Sequence, residues 1–211
     1  MVFSRVLETH PAPQPASTPL DTAKFLEKME GFSLREMCET GDLEGVGAAL
    51  GRGEDVNQRK ENRTVLMDAA YDGQESVVEF LLQRPGLDVN LTDSDGDTAL
   101  HDACNSGHSA VVRRLLAHHS LTCTNLRNVE GESPLMVAVC HGNVECVREL
   151  VAVKGVDLDT RDNKGRSLEF RARGQGHLAV WEVVRDEQRR MEEQEKDNDN
   201  RRYDIIQVIR S

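Results

Sequence analysis

Five cysteines and seven histidines are the first residues to test for chemistry, because thiolate and imidazole are the ligands that zinc prefers. The densest group is His118, His119 and Cys123, with Cys140 and Cys146 further along. No C-x-x-C pair and no His-x3–5-His spacing accompanies them, so no metal and no other cofactor is expected. Cys104 and Cys146 fall in register with apolar positions and read as small buried hydrophobes. Gly51-Arg52-Gly53 and Gly174-Gln175-Gly176 are not phosphate loops, since neither follows a strand pattern or leads into Gly-Lys-Ser/Thr. Acidic residues number 37, yet spacing cannot tell an acid–base pair from a solvated face. No catalytic residue emerges, and no enzyme activity is expected.

The bulk composition narrows the partner classes. A formal net charge of -11 argues against sequence-independent binding to nucleic acid, which needs a surplus of Lys and Arg. No apolar run approaches the roughly 20 residues that cross a bilayer, so no membrane partner is expected. Met1-Val2-Phe3-Ser4-Arg5 lacks the apolar stretch of a secretory signal. An odd number of cysteines without framework spacing fits reduced thiols, hence a cytoplasmic or nuclear setting. With 4% aromatic residues and a single Trp181, a core has to be built from Leu, Val and Ala. That composition suits small helices in layers better than one large core.

Residues 1–20 hold Pro11, Pro13, Pro15 and Pro19 and read as a Pro-rich disordered arm. Asp21 caps an amphipathic turn sequence through Ala23, Phe25, Leu26 and Met29, giving a capping helix over 21–31 that ends at Gly31. Ser33 and Glu36 then form a capping-box pattern. From there a period emerges. Gly41, Gly73, Gly107, Gly142 and Gly176 are spaced by 32, 34, 35 and 34 residues. A second series, Asp55-Val56-Asn57, Asp88-Val89-Asn90, Cys123-Thr124-Asn125 and Asp157-Leu158-Asp159, keeps the same register. Between the markers run helix patterns. The first helix of each unit carries Leu66, Leu100 or Leu135 followed by small residues. The second carries stripes such as Val77, Val78, Leu81 and Leu82.

Each unit opens on a short signature: Thr64-Val65-Leu66-Met67-Asp68-Ala69, Thr98-Ala99-Leu100-His101-Asp102-Ala103 and Ser133-Pro134-Leu135-Met136-Val137-Ala138. These resemble the T-P-L-H-x-A opening of the ankyrin repeat. The resemblance covers about Leu34 to Arg185. It implies an all-α fold, a solenoid of about five helix-turn-helix units with β-hairpin loops over 32–186. Unit limits fall near 32–57, 58–90, 91–125, 126–159 and 160–186. The fifth unit is degenerate: Glu169 falls at the buried Leu position, so its first helix is expected to be distorted or shifted by a residue. Residues 187–211 form a charged helical or disordered tail, with Tyr203 to Ile209 apolar again.

What the resemblance implies about function is a concave groove that binds another protein, in an adaptor, scaffold or regulatory role. Carried to this sequence, the loop tips and helix ends give Asp68, Tyr71, Asp72, Asp95, Asp97, Asp102, Asn105, Arg127, Glu130, Glu132, His141, Arg161 and Lys164. The groove reads as acidic across units two and three and basic at unit five. A basic segment of a partner is expected on the acidic part, against a monomer. The alternatives are a substrate of asparaginyl hydroxylation, because Leu82 and Asp88-Val89-Asn90 resemble that target pattern with Asn90 modified, and self-association through the charged tail.

Overall fold

A computed structural model of the chain describes residues 33–210, and side chains over 33–197. The Pro-rich arm, the capping helix over 21–31 and the apolar side chains of Tyr203 to Ile209 lie outside the described residues.

Glycine and capping chemistry set the helix limits. The Ser33 N–H donates to Glu36 Oε2 (2.8 Å) and the Glu36 N–H to Ser33 Oγ (3.4 Å), a reciprocal cap that starts α1, Leu34–Thr40. Thr64, Ser133 and Ser167 cap α3 (Val65–Tyr71), α7 (Pro134–His141) and α9 (Leu168–Gln175) through their hydroxyls. Pro134 sits at N1 of α7, where a missing N–H costs nothing. The remaining helices are α2 (Leu43–Gly51), α4 (Glu75–Leu82), α5 (Ala99–Ser106), α6 (Ser109–Leu116), α8 (Val144–Val151) and α10 (Leu178–Arg210). Each first helix stops one residue before or two before the periodic glycine. Gly142 shows why: its φ is +71°, and a Cβ there would lie 2.5 Å from the His177 ring of the next unit. Both handedness and space demand glycine.

No unit here is long enough to be stable alone, since its helices run to seven to nine residues except for α10. Stability has to come from stacking. The first-row helices α1, α3, α5, α7 and α9 pack in succession, and the second row α2, α4, α6, α8 and α10 does the same beside it. Leu66, Leu100 and Leu135 are buried, as are Ala69, Ala103 and Ala138, whose small size lets the neighbouring backbone approach. Cys38, Cys104 and Cys146 are buried in the same layers, and burial raises the Cys146 thiol to about 11.

The loops are stitched by a ladder of asparagine amides. Asn57 Nδ2 donates to Gly86 O (2.7 Å) while its Oδ1 accepts from the Asp88 N–H (2.9 Å). Asn90 repeats this with Ser120 O and the Thr122 N–H, both at 2.8 Å. Asn125 repeats it with Gly155 O (2.7 Å) and the Asp157 N–H (2.9 Å). The series ends at Asp159, which accepts from Gln188 of α10 instead (3.2 Å).

Two expectations are corrected. The loop fingers are not all β-hairpins: among the described residues only Arg59–Lys60 (β1) and Arg63–Thr64 (β2) pair as strands, turning through Glu61 and Asn62 at positive φ. The other fingers are tighter turns closed by single backbone bonds, Asp93 N–H to Asp97 O (2.9 Å), Asn128 N–H to Glu132 O (3.0 Å) and Asp162 N–H to Arg166 O (3.1 Å). The Asp93 and Asn128 side chains each accept further backbone N–H groups from within their own turns and so brace them. Nor is the fifth unit shifted. Ser167 caps α9 in register, and Leu168 fills the core at 2% exposure while Glu169 turns outward to Arg173. The tail is helical as far as Arg210, α10 running for 33 residues, roughly 50 Å.

Candidate functional site

Fingers and first-row helices together line two clefts along one face of the stack. The first, about 490 Å³, is bounded by Arg35, Glu39, Arg63, Asp68, Tyr71 and Asp72. The second, about 330 Å³, brings together Asp95, Asp97, Asp102, Asn105, Glu130, Glu132 and His141, with Asn128, Val129, Val137 and His101. Ten of the thirteen sequence-derived residues therefore line one or other cleft. A larger cleft of about 670 Å³ lies on the second row between α8 and α10. Its Arg148, Glu182, Asp186 and Arg190 carry mixed charge, and it stands apart from these residues.

Arg63, on the first finger, organises the acidic face. Its guanidinium lies 3.0 Å from each of Asp68, Asp93 and Asp102, whose side chains are almost wholly buried. Arg35 adds a second cation 3.2 Å from Asp68. Asp68 and Asp102 therefore do not look openly into the groove, as their register implied. They are inward groups neutralised by arginines from the neighbouring finger and helix. Burial nevertheless pushes the Asp102 carboxyl up to about 7, against the pull of Arg63, with Asp97 and Asp93 adding to the rise. Burial also opposes charge on Arg63, but Asp102 and Asp68 outweigh it and hold the guanidinium firmly protonated. One atom is left over: Asp68 Oδ2 accepts no hydrogen bond, because the Arg35 Nε–H beside it is turned to Glu39 Oε1 (2.8 Å).

The remaining acids differ. Asp72, Asp95, Asp97 and Glu130 have no arginine or lysine within ion-pair distance among the described residues. Asp97 is held only by the Asn128 amide (2.9 Å), and burial raises its carboxyl above the ordinary range. Burial, then Glu39 and Asp68, do the same for Asp72. Tyr71 stands 49% exposed beside Asp72, so the aromatic is free to meet a partner.

His101 is structural. Its Nδ1 accepts from the Thr98 N–H (3.2 Å), which leaves the proton on Nε2 to donate to Glu132 O of the next unit (3.2 Å). Burial lowers its basicity, in keeping with a neutral ring. At unit five the positive charge is partly spent. Arg171 binds Glu132 (2.5 Å) and Arg166 binds Asp162 (2.6 Å). Arg127 folds onto the carbonyls of Gly131 and Arg161. Arg161 and Lys164 stay exposed at the last finger, outside both clefts.

Sequence reasoning missed Arg35 and Asp93 as members of this site. Arg63 immediately precedes the Thr of its unit's signature, but nothing in the one-dimensional pattern says that it reaches 39 residues ahead to Asp102. Asn90 is accounted for by the amide ladder. No group of three metal-ligating side chains is found among the described residues, and no helix there is long and apolar enough to cross a membrane.

A family model described as ankyrin repeats (3 copies) matches residues 34–125 and 117–192. The chain is 29% identical to human (Homo sapiens) Rabankyrin-5 over 137 residues, 65% of this chain and 11% of that protein. It is 35% identical to the SMC5-SMC6 complex localization factor protein 1 of Bos taurus over 117 residues, 52% of this chain and 11% of that one. With the E3 ubiquitin-protein ligase KEG of Arabidopsis thaliana it shares 31% identity over 153 residues, 66% of this chain and 9% of the relative. The chain thus spans about a tenth of the length of the curated relatives it matches.

Proposed function

Because the chain belongs to the ankyrin-repeat family, a family of protein–protein interaction modules, we propose that it acts as a non-enzymatic adaptor, scaffold or regulatory subunit. Its groove takes a basic segment of another protein, in the cytoplasm or nucleus. The observation that carries this reading is the set of unpaired carboxylates along the two clefts, Asp72 beside the exposed ring of Tyr71 in the first and Asp95, Asp97 and Glu130 in the second. A partner lysine or arginine gains an opposite charge there without first breaking an internal ion pair. Arg over the face of Tyr71 adds a cation–π contact worth roughly 0.5–1 kcal/mol at an exposed site. Asp68 and Asp102 contribute differently: they fix the finger and helix positions through Arg63, and so shape the cleft that the unpaired acids line.

The test is affinity purification from native cells with the wild-type chain and with Asp72→Lys/Asp95→Lys, both exposed positions. Loss of a partner that salt also releases is the expected result. An unchanged set of partners defeats the groove assignment.

A further inference from the structure

The tail end of the stack is built like an interface that lacks its other half. In each internal unit the third residue of the first helix is covered by the next unit: Met67, His101 and Met136 are at most 1% exposed. Phe170 holds that position in the last unit and is 61% exposed. Val78, Val112 and Val147 of the second row are fully buried, whereas their counterpart Trp181 is partly open and Leu178 nearby is exposed. A side chain of the following unit closes over Gly41, Gly73, Gly107 and Gly142, but open space surrounds Gly176. Inside α9, Gly174 replaces the side chains of Tyr71, Asn105 and Cys140, again with nothing within 4 Å. A glycine inside a helix costs about 0.5–1 kcal/mol relative to alanine, and no contact among the described residues accounts for it.

We propose that two copies of the chain meet tail to tail across this face, α9 against α9, with the Phe170 ring of each seated in the notch left by Gly174 of the other. The occupant follows from the face itself. It continues the series of unit-to-unit interfaces, so it fits a short helix pair of the same kind. The head end does not offer one: Leu34, Met37 and Cys38 of α1 are buried, and Leu43 is the only large exposed apolar side chain described there. Charge points the same way. Glu169 and Arg173 pair within one chain at 2.9 Å but stay well exposed. When two α9 helices cross antiparallel, each Glu169 comes opposite the other copy's Arg173, so the contact is self-complementary. Phe170 and Gly174, four residues apart, lie on the same helix face and meet in the same arrangement.

Sedimentation velocity of the full chain over a concentration series, with the fluorescence of the single Trp181 followed in parallel, tests this. The wild type is expected to reach dimer mass with a blue shift of Trp181 as the ring leaves water. Phe170→Glu should weaken the dimer at least about 30-fold, while the helical circular dichroism, and the melting curve at concentrations where the wild type is monomeric, stay unchanged because the site is exposed in the single chain. Glu169→Arg alone should weaken the dimer, and Glu169→Arg with Arg173→Glu should restore it. A monomer at every concentration overturns the proposal. So does a dimer indifferent to Phe170→Glu, which would place self-association in the charged tail, and so does a double charge swap that fails to restore what the single one lost.

Discussion

Replacing Arg63 with alanine removes one guanidinium that serves three carboxylates at once. Its loss is not shared equally. Asp68 keeps Arg35 at 3.2 Å, and Asp93 keeps the N–H groups of Asp95 and Asp97 at 3.0 Å. Asp102 keeps no cation: Arg63 is its only ion-pair partner among the described residues, and it is almost fully buried. Breaking a buried pair from one side costs about 3–5 kcal/mol, against 0–1 kcal/mol for an exposed bridge. The cost should also depend on pH, with a determinate sign. Asp102 titrates at about 7 in the folded chain and near 3.9 in the unfolded one. The folded state therefore holds a proton that the unfolded state has released, between about pH 4 and 7. Stability from this group is full below about 4 and is lost as pH rises through 7. Without Arg63 the folded carboxyl rises further, so the variant suffers more at pH 8 than at pH 5. Urea denaturation followed by circular dichroism should show a loss of about 3–5 kcal/mol at pH 8. At pH 5, where a protonated Asp102 needs no cation, the loss should fall to about 1–3 kcal/mol, that of missing hydrogen bonds. A loss below about 1 kcal/mol at both pH values would refute the view that these acids are inward and held by Arg63.

Leu100→Ala should cost roughly 2–5 kcal/mol in the same denaturation assay, because Leu100 is buried in the middle layer of the stack; a neutral result would contradict its core placement. Asn90→Ala removes two hydrogen bonds to the next unit and is expected to lose about 1–3 kcal/mol, and faster hydrogen exchange in the loop around Ser120 to Thr122 should accompany it. The same residue bears on the hydroxylation alternative: intact-mass measurement of the chain purified from cells should show no added oxygen if Asn90 serves only the ladder. Gly142→Ala should destabilise by about 1 kcal/mol or more through its positive φ alone, and the displaced His177 ring should show up as a shifted imidazole resonance.

The repeating architecture was legible because two markers keep one period. Glycines answer to a backbone constraint and loop asparagines to a hydrogen-bonding one, and both are local enough to be visible in one dimension. The core leucines followed for the same reason. The shape of the fifth unit was less visible: Glu169 stands in the Leu register, yet Leu168 one residue earlier supplies the buried surface, a substitution that only packing reveals. The charge state of the groove was the least visible. Asp68 and Asp102 occupy groove positions in the register, but Arg35 and Arg63, each reaching forward to the following unit, cancel them. A sequence lists charges and does not pair them across 30 or more residues. Tyr71, Asp72, Asp95 and Glu130 did come out on the surface, since finger tips and helix ends project from the stack and leave their side chains little to pack against.

Site-specific photocrosslinking in living cells tests the proposed groove most directly. With benzoylphenylalanine in place of Tyr71, covalent capture of another protein through a lysine- or arginine-rich segment is expected, while the same probe in place of Arg113 on the second-row face should capture none. Silence at Tyr71 together with capture at Arg113 would contradict the account and move the partner to the opposite side of the stack.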